Sequence, residues 1–271
     1  MTFEAMNSKT RFKRFLLVTI LIYVAGGLAL YFTQELFLFH PKPVPLSYKY
    51  EFADHFEESN ISFRGNNLNF VRFLTKNKPK GIVLFFHGNM GNVEHYKRYP
   101  RLFTENDHEV WMIDYPGFGK TTGKKTEEVM YQQALYLYGK AVKRVAADSI
   151  IIYGKSIGTG IASYLAAKKP CKMLVLETPY YNIVSLARSY FPVYPVSLLL
   201  KYAFPNNKHL KSIRVPVTIF HGTEDEIIPY RHAIKLKKEN PKVNLVTIEN
   251  GKHNDLFEKP VYKEKMKQLL E

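Results

Sequence analysis

The sequence predicts an α/β fold: a mostly parallel central sheet with helices on both faces, preceded by an apolar N-terminal helix. Three patterns predict it. Continuous apolar runs recur along the chain with helical patterns between most of them, as strands buried on both faces require. One earlier pair of segments alternates instead, as a half-exposed antiparallel hairpin does. Finally, the eighteen residues from Phe15 to Phe32 carry no charge.

Eighteen residues is at the short end of the ~17–25 that cross a bilayer as a helix. Lys9, Arg11, Lys13 and Arg14 precede the run, and such a basic flank stays cytoplasmic. The expected organisation is a basic cytoplasmic segment 1–14, a transmembrane anchor 15–38 and a domain on the exported side, whether periplasmic, extracellular or lumenal. A cleaved signal peptide is the competing account, with Gly27-Leu28-Ala29 as its cleavage site. Apolar sequence continues to Phe32 and resumes at Leu36-Phe37-Leu38-Phe39, beyond the ~7–15 residues of a signal core, which favours an uncleaved anchor. Pro41, Pro43 and Pro45 make 39–45 a stiff, extended spacer. The folded domain is expected over 46–271, long enough for one large α/β unit.

The net charge is +15. Segment 1–14 supplies four bases and one acid, a net +3, which leaves +12 on the rest. The bases are dispersed and form no nucleic-acid reading module, so they read as a solvated surface facing anionic head groups. Cys171 is the only cysteine, which rules out an intramolecular disulfide and a Cys-based zinc site. No His/Asp cluster has metal-ligand spacing, and no cofactor is expected.

Ile61–Arg64, a turn at Gly65-Asn66-Asn67, and Leu68–Phe73 form the predicted hairpin. Buried strands follow at 81–86, 110–113, 150–152, 173–176 and 217–220, with a weaker one at 243–248. Helical patterns lie near 92–104, 126–146, 158–169, 230–239 and 260–271. The chemically distinctive residues fall at the carboxyl ends of these strands, where such sheets bind ligands.

Gly154-Lys155-Ser156-Ile157-Gly158 joins the strand at 150–152 to a small-residue helix. Strand, sharp Gly-x-Ser-x-Gly turn and helix together make a nucleophile elbow. A phosphate-binding loop ending in Gly-Lys-Ser is the rival, but it needs glycine where Ser149 stands, and apolar strand precedes Gly154. A serine hydroxyl needs a base, and the base an orienting acid. His253, in a loop after the last strand, is the expected base, whereas His87 and His221 read as packed turn residues. Among Glu224, Asp225 and Glu226, Asp225 is the expected acid for its short, fixed side chain; Glu177, at the end of the preceding strand, is the alternative. The oxyanion donors are expected at the backbone of Ile157 and of Asn89, with Met90 as second choice for the latter.

These motifs resemble the α/β-hydrolase superfamily of serine hydrolases, and most of all its small, membrane-anchored abhydrolase-domain esterases and thioesterases. His87-Gly88-Asn89-Met90-Gly91, Tyr115-Pro116-Gly117-Phe118-Gly119, the Ser156 elbow, His221-Gly222-Thr223-Glu224-Asp225 and Gly251-Lys252-His253 carry the likeness, over residues ~60–271. It implies Ser156 as nucleophile, Asp225 as acid, His253 as base, Asn89 and Ile157 as oxyanion hole, and Tyr115 at the pocket. Lys155 and Lys252 depart from the pattern and are expected to tune substrate charge.

Residues 179–212 interrupt the strand–helix alternation with Tyr180, Tyr181, Tyr190, Phe191, Tyr194, Tyr202 and Phe204, and read as a cap. The expected function is cleavage of a carboxylic ester or thioester of a hydrophobic acyl substrate through an acyl-enzyme. A serine peptidase of the same fold and a non-catalytic membrane-anchored binding protein are the alternatives.

Overall fold

Alternation decides how the sheet is built. In the strand Gly81–Phe86, Ile82, Leu84 and Phe86 enter one core layer while Val83 and Phe85 enter the other. Every residue of that strand is buried, so no alternation of polarity shows in the sequence. The computed structural model describes residues 3–271, with side chains from Ser8 onward, so the first two residues of the basic segment lie outside the described residues.

The strands are β1 (His40–Pro41), β2 (Phe56–Phe63), β3 (Asn66–Phe73), β4 (Gly81–Phe86), β5 (Met90–Gly91), β6 (His108–Ile113), β7 (Ile150–Lys155), β8 (Met173–Glu177), β9 (Val217–Gly222) and β10 (Asn244–Ile248). The helices are α1 (Phe3–Leu38), α2 (Pro100–Thr104), α3 (Glu127–Ala141), α4 (Gly158–Lys168), α5 (Ile183–Tyr190), α6 (Val196–Leu199), α7 (Asn206–Ser212), α8 (Arg231–Glu239) and α9 (Pro260–Leu270). The main sheet runs β10-β9-β8-β7-β4-β6-β3-β2. β2 and β3 are antiparallel to their neighbours, and the remaining pairings are parallel. From β4 the chain first steps to β6 and then back across to β7. That reversal leaves a crevice at the strands' carboxyl ends.

Three expectations change in detail. The hairpin turn is Arg64-Gly65 alone, with φ of 52° and 75°, and Phe63 pairs with Asn66. Two consecutive positive-φ residues match the strand twist, so Asn66 and Asn67 join β3. The helical pattern at 92–104 divides into a 3₁₀ turn, Val93–Tyr96, and α2, because Pro100 starts a new helix at its first turn. The stiff segment 39–45 does not hold α1 away from the body: Phe39 is buried and β1 pairs in parallel with β5.

Helix α1 is long and apolar enough, over Ser8–Leu38, to cross a membrane. One stripe faces the cap. Tyr23 stacks on Tyr194 with centroids 4.8 Å apart, and Gly27 and Gln34 are buried.

Phe85 is fully buried and stacks on Tyr153 at 4.6 Å. Phe85→Ala should lower stability by about 3–5 kcal/mol through the lost burial and the cavity left behind. Thermal unfolding of the full chain in detergent micelles measures it; a change under about 1 kcal/mol would show that this layer can collapse around the gap.

Candidate active site

The elbow at the end of β7 is compact enough to dictate its own sequence. Ser156 has φ of +51°, a conformation that L-residues rarely adopt. A β-carbon on Gly158 would strike the carbonyl oxygens of Phe86 and His87, and one on Gly154 would crowd Ala162 and the backbone of α4. Both positions therefore exclude a side chain, and helix α4 sits close enough for Ser156 to stand at its start.

Three loops bring the predicted residues together. Ser156 follows β7, Asp225 follows β9 and His253 follows β10. Ser156 Oγ lies 3.0 Å from His253 Nε2, and His253 Nδ1 lies 2.8 Å from Asp225 Oδ2. All three side chains are buried. The other oxygen of Asp225 accepts the backbone N–H groups of Ile227 at 2.9 Å and Ile228 at 2.7 Å. Burial alone would raise the Asp225 carboxyl, but hydrogen bonds from His221 and His253, with the Ile228 N–H, hold it far below the usual carboxylate range. An ionised Asp225 can only accept, so Nδ1 of His253 carries the proton and Nε2 is free to accept from the Ser156 hydroxyl.

Glu177, the alternative acid, is engaged elsewhere. Lys155 Nζ donates to its Oε1 at 2.5 Å, as does the Tyr99 hydroxyl at 2.9 Å. The hydroxyls of Tyr262, at 3.0 Å, and Tyr153 donate to Oε2. Burial opposes the charge on Glu177, yet the adjacent Lys155 ammonium and these donors bring its carboxyl below the ordinary value. Lys155 also donates to the His253 carbonyl at 3.2 Å, tying the histidine loop to the elbow.

Ile157 and Asn89 border, with Ser156 and His253, a cavity of about 610 Å³. The Met90 N–H is directed to the Tyr96 hydroxyl at 3.4 Å, while the Asn89 carbonyl accepts from the His40 N–H at 2.8 Å. The cap aromatics divide between two roles. Tyr180, Tyr190 and Phe191 line the cavity, whereas Tyr202 and Phe204 are buried in the main core.

Two expectations need correction. Tyr115 is absent from the cavity wall: it is fully buried beneath the site, and its hydroxyl donates to the His87 carbonyl at 2.7 Å. Lys155 borders the cavity, but its ammonium is buried and turned onto Glu177, on the face of the strand that carries Tyr153, instead of being free for substrate. Lys252 is exposed and outside the cavity wall, with its backbone N–H on Asp255 at 2.7 Å. Sequence reasoning also missed that α1 supplies part of the wall, through Leu30, Gln34, Phe37 and Leu38. The one available signal was Gln34, a lone amide just beyond a charge-free apolar run.

Lys155→Met should destabilise the fold by roughly 3–5 kcal/mol at pH 8, because it leaves a buried carboxylate without its cation. In the native chain the depressed Glu177 contributes stability above its unfolded value, and that contribution is lost as pH falls. In the variant, burial lifts the folded carboxyl above its unfolded value, so its contribution is lost as pH rises. The loss should therefore be larger at pH 8 than at pH 5 in thermal unfolding; an equal or reversed difference would contradict the ion pair's role.

A family profile described as serine aminopeptidase, S33, matches residues 77–207, and one described as alpha/beta hydrolase fold matches residues 194–260. Human alpha/beta hydrolase domain-containing protein 17B is 30% identical over 213 residues, covering 76% of this chain and 72% of that protein. Xenopus tropicalis protein 17C is 31% identical, covering 69% of this chain and 61% of that one. Among solved structures, a soluble variant of Saccharomyces cerevisiae monoglyceride lipase in complex with a substrate analog superposes with a TM-score of 0.65 at 18% identity, covering 84% of this chain and 98% of that one. Est1E from Butyrivibrio proteoclasticus, bound to ferulic acid, gives 0.64 at 21% identity, covering 78% and 97%.

Proposed function

This chain belongs to the α/β-hydrolase family, and from that premise we propose that it is a serine hydrolase cleaving a carboxylic ester or thioester of a hydrophobic acyl group. The observation that carries the reading is the continuous chain from Ser156 Oγ through His253 to Asp225, opening on a largely apolar cavity. His253 Nε2 accepts the Ser156 proton as Oγ attacks the acyl carbon. Asp225 holds the imidazole's tautomer and stabilises its cationic form. The N–H groups of Ile157 and Asn89 receive the negative charge on the carbonyl oxygen. His253 then protonates the departing alcohol or thiol, and water, activated by the same imidazole, releases the acid from Ser156.

A peptidase reading has less support. An aminopeptidase must hold a cationic substrate amine, and the cavity wall carries no carboxylate among the described residues. Helix α1 would anchor the protein, with the basic N-terminal segment cytoplasmic and the catalytic domain on the exported side.

A fluorophosphonate probe should label the full chain in detergent micelles, and Ser156→Ala should abolish the label. Asp225→Asn should lower kcat on a soluble acyl ester by about 10⁴, since the imidazole would then adopt the wrong tautomer. His253→Ala should fall comparably. Labelling that survives Ser156→Ala would move the nucleophile to another residue, and none on a folded wild-type chain would move the assignment to a non-catalytic binding role.

A further inference from the structure

The cavity wall has two sources that ordinarily would not meet. Leu30, Phe37 and Leu38 come from α1, and Phe191, Val196 and Leu199 come from the cap. Gln34 joins them: its amide donates to the Leu199 carbonyl at 3.1 Å and accepts the Lys201 N–H at 2.7 Å. The cap arm from Tyr190 to Leu200 carries no charge and is bracketed by Arg188 and Lys201. Tyr190, Val193 and Leu198 in it are 55%, 71% and 81% exposed.

Depth follows from the same contacts. Lys201 Nζ sits 4.7 Å from the Tyr31 ring centroid, a cation and an aromatic ring at the end of the apolar run, as at a membrane–water boundary. Val193 and Tyr194 instead meet Tyr23, through a 3.0 Å hydrogen bond from the Tyr23 hydroxyl to the Val193 carbonyl and the stacked rings. Eight residues separate Tyr23 from Tyr31, about 12 Å along a helix axis. If α1 crosses a bilayer, Val193 and Tyr194 at the tip of the arm lie below the boundary, within hydrocarbon, while Phe191 against Phe37 and Leu199 against Gln34 sit above it.

We propose that the tip of the cap arm dips into the same leaflet as the Tyr23–Tyr31 stretch of α1, and that the substrate's acyl chain enters laterally from that leaflet into the space between arm and helix. Resting on the serine hydrolase reading, this names the substrate class as a bilayer-borne acyl ester or thioester, and makes α1 a specificity element as well as an anchor. Gln34 satisfies the arm's backbone groups where water is excluded, which keeps the two walls joined around an apolar chain.

The test uses the full-length Ser156→Ala chain in phosphatidylcholine–phosphatidylglycerol vesicles containing a palmitoyl ester with a diazirine at the chain end. After photolysis, adducts are expected on Leu30, Phe37 or Leu38 and on the cap arm's inner residues. Adducts confined to the outward-facing Leu28, Phe32 and Leu36, as on any lipid-exposed helix, would overturn the proposal, as would none on the protein. In the catalytically intact chain, Leu30→Trp should lower the ratio of palmitoyl to butyryl ester kcat/KM by about ten-fold or more, and Leu28→Trp should leave that ratio unchanged. An unchanged ratio in Leu30→Trp overturns the assignment of this wall. Failure of the serine hydrolase reading is distinct: neither ester turns over and no fluorophosphonate label forms, while the photo-adducts persist.

Discussion

The buried ion pair between Lys155 and Glu177 fixes the geometry on which the site depends. It joins the ends of β7 and β8 directly beneath the strained Ser156 backbone, and through the His253 carbonyl it reaches the third strand end of the constellation. Desolvating two charges is costly, and the pair persists because three tyrosine hydroxyls from α9, β7 and the segment before α2 complete the carboxylate's hydrogen bonds. A network satisfied on every side has a single low-energy arrangement. That arrangement sets where the serine and histidine loops can lie relative to one another.

Rigidity and adaptability are thereby separated. The sheet, the elbow and the Asp225 loop are held by backbone hydrogen bonds and buried charge. The walls of the cavity belong to short helices and to α1, whose contacts with the cap include a ring stack, an edge-to-face pair between Phe37 and Phe191, and the hydrogen bonds of Tyr23 and Gln34. Reacting atoms need placement within fractions of an ångström, whereas an acyl chain needs only an apolar space of suitable length.

Much of this was legible in the residues. The buried strands announced themselves as unbroken apolar runs, and the elbow by two glycines whose positions tolerate no β-carbon. Ser156, Asp225 and His253 could be picked out because each follows a strand on the same edge of the sheet. Lys155 was misread because its neighbour in sequence is the serine, while its partner lies one strand away. Tyr115 was misread because a position next to the site in sequence can still point under the sheet. The cap-facing stripe of α1, with Tyr23, Gly27, Leu30 and Gln34, is invisible in a segment that is apolar on every face: helical periodicity shows only where polar residues mark the opposite side.

The pairing of β1 with β5 bears on how the protein can be handled. The His40 and Lys42 N–H groups occupy the carbonyls of Asn89 and Gly91, immediately after the Asn89 N–H proposed to receive the oxyanion. A soluble fragment beginning near residue 46 would lose both donors together with the α1 side of the cavity. Solubilising the domain by excising its helix would therefore yield a catalyst with a looser oxyanion loop and an open-sided pocket, whose substrate profile describes the fragment rather than the enzyme.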